Sequence, residues 1–137
     1  MKYTEQDIDV LARTIYLEAR GETHEGRIAV AHVIKERTEA KGRWKDTVLE
    51  VCLQPWQFSC WNHENPNYLV GWRVDLDKPM FQQCWMVALM VLHGFAPNPV
   101  PGANHYLTTR IKDTVSWARD NSDKVVGAIG AHTFYAL

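Results

Sequence analysis

TEQDIDVLARTIYLEARGE, residues 4–22, contains the signals for a helix start, a buried helix face and a helix stop. Thr4 is a good N-cap, and Asp7 three residues later completes a capping-box pattern. Gly21 is a typical stop signal, so the stretch predicts a helix over residues 5–19. The apolar residues of its inner face recur at helical spacing: Ile8, Leu11, Ala12, Ile15 and Tyr16.

Glu18 continues this apolar stripe, because steps of three, four and three residues lead to it from Ile8. The spacing predicts a carboxyl group that faces the protein at a helix end, where desolvation favours its protonated form. Such a group is suited to donate a proton. Two alternatives stay open from spacing alone. Glu18 could pair with Arg13, Arg20 or Arg27, or it could turn outward at a frayed helix end.

The rest of the chain predicts further helices and then a small sheet. Thr23 caps a helix over 24–40, Thr47 caps a short helix that Pro55 stops, and Pro79 opens a helix over 79–93. The last of these is apolar almost all round, which predicts a central, buried helix. Residues 54–76 show no periodicity and are expected to be irregular, whereas 104–107, 125–129 and 132–135 are expected to be extended. This order predicts one α+β domain over residues 1–137.

Composition and charge exclude several classes of partner. The formal net charge is −1, and Lys and Arg are scattered, so nucleic acid is not expected as a partner. The longest apolar stretch, residues 85–92, is too short to span a bilayer, so membrane insertion is not expected either. The N-terminal sequence MKYTEQDIDV lacks the apolar run of a signal peptide, which predicts synthesis in the cytoplasm.

Cysteine and histidine patterns give no metal site or nucleophile. Cys52, Cys60 and Cys84 are odd in number, which favours a reduced compartment, although a Cys52–Cys60 bridge stays open. Neither His24-Glu25 nor His63-Glu64 is followed by the second histidine of a helical zinc motif. We therefore expect no metal and no cofactor.

Several motifs resemble, in order, those of the SleB-type cell-wall hydrolases, the family of the spore-cortex-lytic enzymes. They cover nearly the whole chain, about residues 8–136. The matching segments are 12–22 with Gly26 and 29–34, then 51–54 with 57–59, 101–106, 117–118, and 129–130 with His132, Phe134 and Tyr135. The resemblance implies a mainly helical, lysozyme-like lytic transglycosylase domain with a small antiparallel sheet in the C-terminal third.

The activity that the resemblance implies is cleavage of peptidoglycan glycan strands between N-acetylmuramic acid and N-acetylglucosamine. The family's catalytic glutamate falls on Glu18, which would act as general acid and then as base. A hydrolase would add a second carboxylate. The nearest, Glu22, lies beyond the helix-breaking Gly21, so we expect it to orient a substrate or to hold a loop by a salt bridge. A single acid favours lytic transglycosylation with 1,6-anhydromuramic acid ends, and hydrolysis stays the alternative.

Two further segments supply candidate sugar-binding residues. Gln57 and Ser59 offer groups for N-acetyl and hydroxyl recognition, and Phe58 offers an aromatic face, as does Trp56 with less support. The alternative is that these aromatic residues are core residues.

The C-terminal third supplies the remaining candidates. The family's tyrosine falls on Tyr106, and strand alternation would place Asn104 beside it and turn His105 away. His132, in the family's closing box, is expected to be either a substrate contact or structural.

The biological setting follows from the same observations. A bare catalytic domain without a signal peptide predicts a monomer that reaches the cell wall after release, as a phage endolysin does. Three other functions stay open: an amidase or peptidase that acts on the peptide stem through a zinc or cysteine site, a non-catalytic glycan-binding module, and a virion structural protein.

Overall fold

The structure is a computed structural model that describes residues 3–54 and 57–137, so Pro55, the expected helix stop, and Trp56 lie outside the described residues. The helices are α1 (Glu5–Ala19), α2 (His24–Glu39), α3 (Val48–Leu53), α4 (Asn67–Arg73), α5 (Pro79–Leu92) and α6 (Ser116–Asp120). The strands are β1 (His105–Thr108), β2 (Val125–Ile129) and β3 (His132–Tyr135).

Helix α1 begins and ends where its sequence predicts. The Asp7 backbone N–H donates to the Thr4 hydroxyl at 3.1 Å, and the Thr4 N–H donates to the Asp7 carboxylate at 2.9 Å. This reciprocal pair satisfies two of the amide groups that a helix start leaves without partners. The apolar face is buried and packs against α2, α3, α4 and α5. α1 is therefore the central helix of the fold.

The expectation that α5 is buried on all sides was wrong. Its inner face is buried against α1 and α2, but Met86 is 50% exposed, and Gln82 and Gln83 are exposed as well. The helix lies at the outside of the bundle, with only one side covered. Its apolar composition therefore exceeds what its burial requires.

The expectation that residues 54–76 are irregular was also wrong in part. They contain a 3-10 turn, Ser59–Trp61, and the seven-residue helix α4. The Arg13 guanidinium fixes the end of α4 by donating to the Gly71 carbonyl at 2.8 Å and to the Val74 carbonyl at 2.7 Å. So short a helix is marginal by itself, and contacts with α1 stabilise it. Local sequence carries little sign of such a helix.

The C-terminal third forms the small antiparallel sheet that the resemblance implies, in the order β1-β3-β2. Tyr106 on β1 lies opposite Phe134 on β3, which belongs to the main core. Leu107 and Tyr135, which alternate with these residues, form a second cluster with Ala118 of α6. The sheet therefore presents one face to the helices, and this face carries Tyr106.

Two further observations bear on the expectations from composition. All three cysteines are free and buried, so Cys52 and Cys60 form no bridge. Among the described residues, no helix combines the length and the apolar character needed to cross a membrane.

Candidate active site

Glu18 lies in the last turn of α1, partly buried, with its carboxyl group facing the sheet. The Tyr106 hydroxyl of β1 donates a hydrogen bond to Glu18 Oε1 at 2.7 Å. The spacing that continued the apolar stripe thus predicted the direction of this side chain. Helix and sheet, far apart in the sequence, meet at one carboxyl group.

Tyr106 is held in its protonated form. Burial raises its pKa well above the ordinary value, and the negative charge of Glu18 raises it further. The hydroxyl therefore keeps its proton at neutral pH and remains a donor to the carboxylate. The Tyr106 hydroxyl therefore already points at Glu18, and it stabilises the carboxylate form of Glu18 without having to reorient.

Cys60, in the Ser59–Trp61 turn, forms another wall of the site. It lies close enough to the Glu18 carboxyl group for that charge to act on its thiol, and only 3% of the residue is exposed. Burial raises the pKa of this thiol, and the charge of Glu18 raises it further, so the thiol stays protonated. Sequence reasoning missed this neighbour. The sequence indicated Cys60 only by its position directly after the 57–59 segment.

Arg37 of α2 joins three segments behind the site. Its Nε donates to the Asn104 carbonyl at 2.7 Å, and its Nη1 donates to Gln57 Oε1 at 3.3 Å. The guanidinium lies over the rings of Trp44 and Phe58, at 5.4 and 5.5 Å from their centroids. Helix α2, the segment after α3 and the start of β1 are thereby tied to one buried side chain.

The same guanidinium supplies positive charge to the site. Burial lowers the pKa of Arg37, and the neighbouring Tyr106 and Glu18 oppose this change. Arginine remains protonated in proteins, so a fixed cation lies near the carboxyl group of Glu18. The sequence gave no sign of this role.

Glu22 holds the hairpin between β2 and β3. Its Oε1 accepts the Ala131 backbone N–H at 3.0 Å and lies 3.6 Å from His132 Nδ1. Gly130, in the turn, has φ +56°, and a Cβ there would collide with the Glu22 carboxylate. Glu22 was expected either to orient a substrate or to hold a loop, and the contacts that the structure shows are those of a residue that holds a loop.

His132 lies on the sheet face that carries Tyr106. Its ring centroid is 5.0 Å from that of Tyr106, in an edge-on arrangement, and 9% of the residue is exposed. The ring packs between Tyr106 and the Glu22 carboxylate, so it supports the tyrosine that contacts Glu18.

The 57–59 segment divides into exposed and buried residues. Gln57 and Ser59 are exposed, whereas Phe58 is 3% exposed and packs in the main core under Arg37. Phe58 therefore presents no free aromatic face to a sugar, which corrects the expectation that it stacks on substrate. The polar residues on either side of it remain accessible.

The Asn104 side chain is held by the C-terminal residue Leu137 and is not the free sugar contact that strand alternation suggested. It accepts the Leu137 N–H at 2.9 Å and donates to the Leu137 carbonyl at 2.9 Å. Its Oδ1 also accepts a hydrogen bond from His105 Nδ1 at 2.8 Å. β1 begins at His105, so Asn104 precedes the alternating residues and fixes the C-terminus instead.

The sequence pattern of the cell wall hydrolases matches residues 21–135. The chain belongs to the cell wall hydrolase family. The matched segment starts at Gly21, so Glu18 lies just before it.

Relatives of this cell wall hydrolase agree with the SleB-type motifs. The spore cortex-lytic enzyme of Oceanobacillus iheyensis is 42% identical over 57 residues, which are 42% of this chain. That stretch spans 20% of the relative's own length. The resemblance that the motifs indicated is confirmed.

Solved structures show the same fold over almost the whole hydrolase. The catalytic domain of the germination-specific lytic transglycosylase SleB from Bacillus anthracis matches with a TM-score of 0.72 and 25% identity, over 97% of this chain and 96% of that one. The SleB catalytic domain of Bacillus cereus matches with a TM-score of 0.74 and 24% identity, over 98% and 92%. The predicted fold class is confirmed.

We expect the stability of this hydrolase to fall as the pH drops from about 6.5 to about 4, with His105 as one cause. Burial, together with the positive charges of Arg37 and Arg43, lowers the pKa of His105 to about 4. In this window the unfolded chain binds a proton at His105 that the folded chain does not, so acid favours unfolding. Urea unfolding at pH 7 and pH 4.5 measures the loss.

His105→Gln is expected to reduce this loss without abolishing it, because burial also lowers the pKa of His32. The exposed His93 provides the control, and His93→Gln should retain the wild-type pH dependence. An equal loss in His105→Gln and wild type would contradict the assignment.

Proposed function

We propose that this cell wall hydrolase cleaves the glycan strands of peptidoglycan between N-acetylmuramic acid and N-acetylglucosamine, with Glu18 as general acid and base. One observation carries the proposal. The carboxyl group of Glu18 is partly buried at a helix end and accepts a hydrogen bond from a partly buried tyrosine that stays protonated. A SleB-type fold surrounds it, and two solved SleB domains share that fold.

The reaction needs one proton moved twice. Protonated Glu18 donates to the glycosidic oxygen as the bond from that oxygen to C1 of muramic acid breaks, and the sugar gains oxocarbenium character. The carboxylate so formed accepts the hydrogen bond from Tyr106. It then removes the proton of the muramic acid 6-hydroxyl as that oxygen bonds to C1. The product carries a 1,6-anhydro ring, and Glu18 is protonated again.

Transglycosylation is preferred to hydrolysis because of where Glu22 lies. An inverting or retaining glycosidase uses a second carboxylate to activate water or to attack the sugar. The Glu22 carboxylate is engaged by the Ala131 N–H and lies beside His132. Glu22 therefore holds the hairpin between β2 and β3 and does not act on the sugar. The nucleophile is then the 6-hydroxyl of the sugar itself.

Exposed polar side chains next to the site suit the N-acetyl and hydroxyl groups of the glycan. Gln57 and Ser59 lie on either side of Phe58, and Ser59 starts the turn that brings Cys60 to Glu18. We assign both to substrate binding. We assign Tyr106 the role of hydrogen-bond donor to Glu18, and His132 the role of a packing support for Tyr106.

Digestion of purified peptidoglycan, followed by mass analysis of the strand ends, tests the proposal. We expect muramic acid ends that are lighter than reducing ends by one water, as an internal 1,6-anhydro ring requires. Reducing muramic acid ends would replace transglycosylation by hydrolysis. Intact glycan strands with freed peptides would overturn glycan cleavage altogether.

A bacteriolytic role such as that of a phage endolysin stays a prediction. It is tested by adding the purified protein to bacteria with permeabilised outer layers and following turbidity. Lysis that depends on Glu18 would support the role.

A further inference from the structure

A cluster of aromatic rings lies where α4 packs on α1, and its outer members His63 and Trp72 are exposed. Trp72 of α4 is 41% exposed, and its ring centroid lies 4.6 Å from that of Trp61. Tyr68, one helical turn before Trp72, has its ring centroid 6.5 Å from that of Trp72 and 4.7 Å from that of His63. We call Trp61, His63, Tyr68 and Trp72 the aromatic platform.

The platform is held rigidly from below. Trp61 Nε1 donates to the Thr14 hydroxyl of α1 at 2.9 Å, and Trp61 is itself buried. A Cβ at Gly71 would collide with the side chains of Leu17 and Trp61, so glycine permits α4 to lie this close to α1. With the Arg13 hydrogen bonds to the end of α4, these contacts fix the exposed rings in place. Trp72 is therefore exposed although the helix that carries it is held in place.

The platform is continuous with the site around Glu18. Trp61 directly follows Cys60, which lies near Glu18, and Leu17 directly precedes Glu18 and packs on Gly71 of α4. Both elements that support the platform therefore also form the walls of the proposed active site. A polymer bound at Glu18 would have the platform within reach of its next units.

We propose that the aromatic platform binds a sugar ring of the glycan strand, at a position removed from the bond that is cleaved. This inference rests on the proposed function. The C–H face of a hexosamine is apolar and stacks on aromatic rings, while its hydroxyl and N-acetyl groups pair with the polar edges of Trp, Tyr and His. A held ring loses little side-chain entropy on binding, so a platform of this kind suits a flexible polysaccharide.

A length series of ligands tests the proposal in the Glu18→Gln protein, which keeps the substrate intact. The ligands are a disaccharide and strands several disaccharides long, freed of stem peptides, with binding measured by calorimetry. We expect Trp72→Ala to weaken binding of the long strands about tenfold and to leave the disaccharide unchanged. Phe95→Ala, which removes a ring that is 78% exposed after α5, is the matched control and should change neither.

Unchanged binding of long strands by Trp72→Ala would overturn the proposal, as would equal weakening for both lengths or no strand binding by the Glu18→Gln protein. Self-association of the parent protein that Trp72→Ala abolishes, without a change in strand binding, would assign the platform to protein contacts instead. The proposed function fails separately. Wild-type protein that leaves peptidoglycan uncut, yet binds long strands through Trp72, would overturn the role of Glu18 and keep the platform.

Discussion

Glu18→Gln is expected to lower the rate of peptidoglycan cleavage by at least about a hundredfold while leaving the fold intact. Glutamine matches glutamate in shape, and its amide oxygen can still accept the hydrogen bond that Tyr106 donates. It has no acidic proton for the leaving oxygen and no carboxylate to act as base. Release of soluble muropeptides measures the rate, and thermal unfolding by circular dichroism verifies the fold.

Two further variants serve as a control and an intermediate case for this prediction. Glu25→Gln makes the same chemical change at an exposed residue in the first turn of α2, and it should cleave like the wild type. Tyr106→Phe removes the donor to Glu18 and keeps the ring in the sheet, so it should fall between the two, at about a tenfold loss in kcat. A Glu18→Gln protein that cleaves at the wild-type rate would refute the proposed mechanism.

The helices that were predicted well from the sequence are those whose own residues specify them, without help from distant contacts. Helix α1 has a capping box, an apolar stripe and a glycine stop, and its predicted bounds match the structure at both ends. Helix α4 has no capping side chain and only seven residues, and it depends on Arg13, far away in the sequence. A helix that tertiary contacts stabilise leaves little trace in its own residues.

The candidate site shows the same division. Glu18 was predicted from spacing as well as from the family resemblance, and Tyr106 from the resemblance alone, and the structure places the two in contact. Cys60 and Arg37 were missed because a buried thiol and a buried guanidinium look like an ordinary core residue and an ordinary helix residue in a sequence.

Two expectations failed for physical reasons. Phe58 satisfies the core, because its ring packs under the Arg37 guanidinium rather than facing a groove. Asn104 precedes the first strand residue, so alternation does not apply to it, and its amide pairs with the C-terminal residue Leu137. Residue type suggested sugar binding in both cases, whereas core packing decided the outcome for Phe58 and hydrogen bonds to the C-terminus decided it for Asn104.

Arg37→Ala is expected to lower the free energy of unfolding by about 3 kcal/mol, since a buried side chain with several partners is lost. The Asn104 carbonyl would lose its donor, and the rings of Trp44 and Phe58 would lose the group packed over them. The change would leave a cavity where α2 meets the start of β1. Urea unfolding at neutral pH measures the effect.

Arg43→Ala is the matched control. Arg43 is exposed, stacks on the same Trp44 ring at 4.2 Å and donates to the Leu137 carbonyl at 2.7 Å. Because exposed interactions contribute little, its loss should cost no more than about 1 kcal/mol. Arg37→Lys keeps the charge without the planar fork of donors, so it should be intermediate. Equal costs for Arg37→Ala and Arg43→Ala would show that the buried guanidinium does not hold the segments behind Glu18 together, and the site would then need another source of rigidity.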